Sequence, residues 1–434
     1  MLQSLRQRLT LFLLALLPLH AFLVTVGTKA LQGSGNAPMV SLSLWKEAVL
    51  LLILALACKE IVQKAKMPRL DMFDWLILTM LILSVMVTAM TDGDWKLYLF
   101  GFKYDFIPLA AFVILRRVQW SDAFRKRLIS VLLIVGSVVA AFGIATLAFP
   151  SSFFSLFGYS DLHSLYVPNG PLAAFQQIES LGVRRIQSTM SGPNQLGLWL
   201  LLPWSIALLR RRYMFLILIA IAILLTFSRS AWIASGVIFL IVLFKSVPRK
   251  VFFYALGGLF SASLLAFMVL YSFAPDIVMR SASNSNHLAR PLEAIEVMKE
   301  NPLGLGLGTA GPASNRVSDA CVHLPEGSDA SWASDRPDLC VFTGDIQVQP
   351  HGRVCNCPLL PENWYLQMGV EMGILGFVLF ITLIIFVLLR LRSSPYALLP
   401  FVGISIAALF LHAWEGSAVA YTTWILAAVS LEKE

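Results

Sequence analysis

Apolar residues run along this chain in long blocks separated by short polar joints. Twelve blocks stand out, at 9–27, 45–62, 73–91, 97–115, 128–148, 193–209, 213–228, 230–246, 251–273, 368–389, 396–413 and 417–431. Most are about 18 to 25 residues long, enough to cross a hydrocarbon core as helices. Strict alternation over segments of ten residues, the mark of a membrane barrel, is absent. The pattern predicts an all-α polytopic membrane protein. The first block has no convincing small-residue cleavage site behind it and is expected to stay as a helix.

The polar joints alternate in character. Arg6 and Arg8 precede the first block, Lys59, Lys64, Lys66 and Arg69 follow the second, and Arg116, Arg117, Arg125, Lys126 and Arg127 follow the fourth. Arg210, Arg211 and Arg212 follow the sixth, Lys245, Arg249 and Lys250 the eighth, and Arg390 and Arg392 the tenth. All of these joints fall on one side, which the positive-inside rule makes cytoplasmic, with both termini there. The other side carries two longer segments, near 150–192 and at 274–364. The expected organisation is therefore 1–273 with nine helices, 274–364 as a large outer loop, and 365–434 with three more helices. Only 13% of residues are charged, against about a quarter in soluble domains. The net charge of +8 is accounted for by topology signals, so the bilayer and not a nucleic acid is the expected partner.

Cys58 falls in a block and reads as a small apolar filler. Cys321, Cys340, Cys355 and Cys357 all lie in the large outer loop, where an oxidising environment favours two disulfides of any of three connectivities. A zinc site with His323 or His351 is the alternative, but the spacing fits no usual zinc module. Earlier in the loop, 290–300 has helical apolar spacing, with Pro291 suited to a first turn and Asn301-Pro302 as a stop. The run Leu303-Gly304-Leu305-Gly306-Leu307-Gly308 follows a helix and not a strand, so it reads as a tight, backbone-exposed turn and not as a nucleotide-binding loop.

Arg229 lies between two apolar blocks with no carboxylate near it in sequence, and a charge at membrane depth is a functional-site candidate. Arg184 and Arg185 precede the turn Gly192-Pro193-Asn194, where a helix amino end would add anion-binding N–H groups. Arg290 sits on the predicted outer helix, and Glu362-Asn363 enter the tenth block. Lys103, Asp105, His412 and Glu415 are expected at the rim. Guanidinium groups bind phosphate oxygens in pairs, and a carboxylate such as Glu362 can take a proton from an attacking hydroxyl. The structural alternatives are a solvated loop role for Arg184, pairing of Arg229 with Glu415 or Asp105, and a helix-capping or solvent-facing Glu362.

The order of motifs carries a resemblance. Arg185…Gly192-Pro193-Asn194, then Thr226-Phe227-Ser228-Arg229-Ser230-Ala231, then Arg290…Asn301-Pro302-Leu303-Gly304-Leu305-Gly306, then Asn363-Trp364-Tyr365-Leu366-Gln367…Glu371-Met372-Gly373-Ile374-Leu375-Gly376 resembles the O-antigen ligase and polymerase superfamily of bacterial inner membranes. It covers 184–376. The resemblance implies a helical-bundle glycosyltransferase with a periplasmic loop over its site, an undecaprenyl-diphosphate-linked glycan donor, a glycan or lipid A-core acceptor, and no metal or other cofactor. It further implies that Arg185 and Arg229 hold the diphosphate with help from Arg290, while Arg184, Asn194, Asn363 and Lys103 are substrate-binding candidates. One position departs: lipid A-core ligases typically carry His before the Asn of the last motif, where this chain has Glu362. Ligase and polymerase both stay open. A transporter of an anionic solute is the competing reading, disfavoured by the lack of an internal repeat and by charges gathered at one face. A non-catalytic scaffold would leave the arginine set unexplained.

Overall fold

The computed structural model describes residues 1–63, 69–160, 170–178, 182–273, 281–324, 326–344 and 346–431. Lys64 and Lys66 of the expected inner joints lie outside these. Its helices are α1 (Leu2–Leu16), α2 (His20–Gln32), α3 (Val40–Ser43), α4 (Trp45–Val62), α5 (Met72–Met90), α6 (Trp95–Leu115), α7 (Asp122–Ala145), α8 (Ser151–Ser155), α9 (Pro193–Leu209), α10 (Tyr213–Leu225), α11 (Arg229–Ser246) and α12 (Arg249–Phe273). After these come α13 (Ser281–Glu300), α14 (Gly311–Ser314), α15 (Trp364–Arg390), α16 (Pro395–Ala407) and α17 (Ser417–Ser430). Each of the twelve apolar blocks falls mainly on helix, the first on α1 and α2 together. Several start where a short polar side chain caps the first amides: Asp71 for α5, Asp94 for α6, Ser121 for α7 and Asn363 for α15.

Seven helical stretches among the described residues are long and apolar enough to cross a membrane, and α10, α16 and α17 are apolar but shorter. Thirteen residues of α10 or α16 rise only about 20 Å. The blocks 213–228 and 396–413 overestimated both, because their last residues turn instead of continuing the helix. Helix α9 is the hub: Leu196 to Pro203 are all buried, and it packs against α7, α10, α11 and α16. Phe401, Trp414 and Trp424 form an aromatic knot with ring centroids 5.0–5.2 Å apart.

Small strands in the outer loops qualify the all-α expectation. Strands β1 (Gln176–Ile178) and β2 (Val183–Arg185) pair antiparallel; β3 (Cys321–Leu324) and β4 (Cys340–Thr343) pair parallel, and β4 pairs antiparallel with β5 (Ile346–Gln349). The disulfides are Cys321–Cys357 and Cys340–Cys355, so a segment two residues apart is tied to both neighbouring strands. Those bonds use up the thiols a zinc site would need. Cys58 is exposed on α4, not packed as a filler. Helix α13 begins ten residues before Pro291, which lies inside the helix and not in its first turn. The helix lies across α15, with Ala294, Val297 and Met298 against Leu366 and Val370.

The glycine run is buried, not exposed as its sequence context suggested. Helix α15 breaks at Met372–Gly373, where Gly373 has φ +70°. The break frees the carbonyls of Val370 and Glu371, which accept from Leu305 N–H at 2.8 Å and Gly306 N–H at 3.0 Å. Gly304, Gly306 and Gly308 all have positive φ. A side chain at Gly304 would put Cβ 2.5 Å from Gly373 N, and one at Gly308 would put it 2.3 Å from Leu97 O. Residues 303–308 are thus a strap seated in the gap of α15, and only glycine fits.

Gly304→Ala is expected to lower stability by about 3 kcal/mol, from backbone overlap plus a left-handed φ. Gly35→Ala, at φ +88° with nothing within 4 Å, should cost only the conformational strain, about 1 kcal/mol. Thermal unfolding of the two variants in detergent compares them directly; equal melting temperatures would remove the strap from the argument.

Candidate active site at the outer mouth

The β1–β2 hairpin delivers Arg185 to the outer end of the α10–α11 hairpin. Ile186 N–H donates to Leu225 O at 3.1 Å, and Arg185 Nε donates to Thr226 O at 2.9 Å. Arg185 Nη2 donates to Asn194 Oδ1 at 2.7 Å, so the first turn of α9 joins the same corner. Thr226 is fully buried and its hydroxyl accepts from Ser228 N–H at 3.2 Å. This turn forces Phe227 to φ +49° and starts α11 at Arg229. Gly197 permits the close approach: a Cβ there would lie 2.9 Å from Ala231 and 3.1 Å from Thr226 Oγ1. Arg185, Asn194 and the turn carrying Arg229 are therefore assembled beside the amino ends of two helices, where N–H groups favour anions.

Arg184 points elsewhere. Its Nη1 donates to Phe149 O and its guanidinium lies 4.0 Å from the centroid of the Phe175 ring. That is an anchoring contact to Phe149 and Phe175, neither the substrate-facing role nor the solvated one considered from sequence. A small cleft bounded by Thr146, Leu147, Phe154 and Phe175 lies against both Arg184 and Arg185.

A second cluster forms where α13 meets the start of α15. Arg290 Nη1 pairs with Glu362 Oε1 at 2.7 Å. Glu362 has φ +50°, and its backbone N–H donates to His412 Nε2 at 3.2 Å. His412 Nδ1 lies 2.6 Å from Gln367 Oε1, and Gln367 Nε2 donates to Glu415 Oε1 at 3.0 Å. Asn363 donates to Leu409 O at 3.0 Å while its Oδ1 caps α15. Helices α11 and α16 pack against each other. Trp364 N–H bonds Ala408 O at 2.9 Å, which ties this second cluster to the carboxyl end of α16.

His412 lies in the connection after α16, outside the helices. Burial lowers its pKa to about 4, with the Glu362 carboxylate opposing and the Arg290 guanidinium reinforcing the shift. Deeper in, Glu371 Oε1 accepts from Gly308 N–H at 3.1 Å, and Asp105 is buried. Lys103 is not with the arginines: its Nζ lies 3.3 Å from Glu47, which also pairs with Lys46 at 3.0 Å. Sequence reasoning placed His412 and Glu415 only loosely at a rim and missed Gln367 as a contact. The signal for Gln367 was its place in the motif Asn363-Trp364-Tyr365-Leu366-Gln367, just before the tenth apolar block.

Residues 214–329 match the family model described as O-antigen ligase, so this stretch of the chain is similar to the O-antigen ligase and polymerase superfamily. The matched stretch contains Arg229, Arg290 and the glycine strap. No curated protein matches the chain. The family supports a multi-pass membrane enzyme, glycosyltransferase-like, in polysaccharide biosynthesis.

The depressed His412 pKa has a stability consequence. Below pH 6.5 the unfolded chain binds a proton at this imidazole while the folded chain does not until about pH 4, so stability falls across that window. The loss should be about 3 kcal/mol. Thermal scans from pH 7 to pH 4 should show a drop in the parent protein that is smaller by this amount in His412→Gln; superimposable pH profiles would refute it.

Proposed function

We propose that the protein transfers a glycan from an undecaprenyl-diphosphate-linked donor to a sugar hydroxyl at the periplasmic face. The chain crosses the membrane twelve times in this reading, with both termini in the cytoplasm. The observation that carries the proposal is the corner where Arg185 bonds both Thr226 O and Asn194 Oδ1, beside the first residue of α11, Arg229. Arg185 and Arg229 hold the diphosphate there. The helix amino ends and the guanidinium forks stabilise the charge that grows on the leaving oxygen as the sugar departs.

Arg290 adds a third cation once it exchanges Glu362 for a phosphate oxygen. Asn363 and Asn194 contribute amide groups around the same mouth. The proton of the attacking hydroxyl leaves within the Glu362–His412 cluster. The acceptor is either another glycan chain, as in a polymerase, or a lipid A core, as in a ligase. The two differ in the acceptor bound and share the diphosphate corner.

The broken helix α15 is the feature a transporter reading would draw on, since interrupted helices line many transport sites. In this chain the gap is occupied by the glycine strap, whose amides satisfy the freed carbonyls. That favours a structural break over a solute site.

Arg229→Lys keeps the charge and loses the fork, so glycan transfer in membranes should fall about 100-fold or more at unchanged protein level. Wild-type transfer by that variant would sink the diphosphate corner. Gels of surface polysaccharide from a deletion strain separate the two acceptors: single-unit caps indicate a lost polymerase, and free lipid-linked chains with bare cores a lost ligase.

A further inference from the structure

We propose that His412, and not Glu362, takes the proton from the acceptor hydroxyl, with Gln367 and Glu415 as positioning residues behind it. The inference rests on the transferase reading above and names the base within it. Three observations carry it.

The first is the tautomer. Gln367 Nε2 donates to Glu415 Oε1, and its own Oε1 faces the imidazole. His412 Nδ1, at 2.6 Å from that oxygen, then carries the hydrogen, and Nε2 carries the lone pair. The Glu362 N–H that points at Nε2 fits the same assignment. The second is rigidity. Gln367 is fully buried and its amide is engaged at both ends, by Glu415 and by His412. The imidazole is thus backed by a fixed acceptor, as a general base needs. The third is the state of Glu362. Its Oε1 is held by Arg290 at 2.7 Å, and its backbone sits in the left-handed region at φ +50°.

A phosphate that draws Arg290 away releases the 361–363 turn, and its relaxation uncovers His412 Nε2. The acceptor O–H proton passes to Nε2 as the acceptor oxygen bonds the anomeric carbon. The bond from that carbon to the diphosphate oxygen breaks, and its electron pair leaves on the diphosphate. The imidazolium afterwards gives its proton to water. The low proton affinity of the buried ring keeps Nε2 unprotonated before each turnover.

The test uses the full chain in membranes of a deletion strain, with the strain's own lipid-linked glycan as donor, and measures initial rates of transfer. His412→Ala should lose about 100-fold or more, the usual contribution of a general base. Added imidazole should recover part of that loss, which a purely structural role for the ring would not allow. His412→Gln, which keeps a polar group against Gln367, should lose as much. Glu362→Gln should lose no more than about tenfold. A rate for His412→Ala or His412→Gln within tenfold of the parent overturns the proposal. So does a loss of 100-fold or more in Glu362→Gln, even if neither His412 variant accumulates. Arg229→Lys in the same assay keeps the two readings apart: if it fails while His412→Ala works, only the base assignment falls, and if it works the diphosphate corner falls independently.

Discussion

Gly304 and Gly373 approach so closely that neither tolerates a Cβ, and the geometry of the mouth follows from that contact. A continuous α15 would satisfy its own carbonyls and leave no seat for the 303–308 strap. Because α15 breaks, Val370 and Glu371 bond the strap, and the strap carries Gly308 and Ala310 to within 3.1 and 3.4 Å of Glu371 Oε1. The chain then reaches Gly311, pressed against Gln367. One backbone-to-backbone constraint thereby fixes a buried carboxylate, a buried amide and, through the amide, the imidazole of His412.

The two halves of the site are built on different principles. The Arg185–Arg229 corner is made from helix ends: short α10 stops early, Thr226 closes the turn, and Gly197 lets α9 come close. Its described acceptors for Arg185 are the neutral oxygens of Thr226, Gln176 and Asn194. The other half is an ion pair set over a relay. Arg290–Glu362 is partly exposed, so breaking it costs far less than breaking a buried pair. A contact that must open for substrate is best kept near water.

Much of this was legible in the chain. The apolar blocks fall on helices, and the caps at Asp71, Asp94, Ser121 and Asn363 stand near where block and joint meet. The clustering of Arg185, Asn194 and Arg229 followed from motifs at helix ends, because a turn residue and a charge beside it are local signals. What was not legible depends on packing between distant segments. Hydropathy counts apolar residues and does not see Phe227 or Ala408 turn out of a helix, so α10 and α16 were drawn too long. The strap resembled an exposed turn because glycine is equally suited to solvent and to a tight crossing. Arg184 and Lys103 counted as cations in sequence, while Phe149, Phe175 and Glu47, which hold them, come from other parts of the chain.

Glu362 shows why position in a motif and position in space can part. A proton acceptor at the start of α15 is required to sit beside the mouth, but nothing requires it to come from that strand of sequence. The connection after α16 reaches the same point from the other side, and its His412 meets the Glu362 backbone. Its ring nitrogen is aligned by Gln367, one turn further along α15 than Asn363. Helix periodicity explains that alignment: positions 363 and 367 share a face, so the residue that caps α15 and the residue that orients the imidazole both look toward the segment 408–416. Asn363 bonds Leu409 and Gln367 bonds His412. The same helix face thus holds the connection in place and fixes the tautomer of its histidine, which makes the relay a consequence of how α15 docks, independent of the side chain at 362.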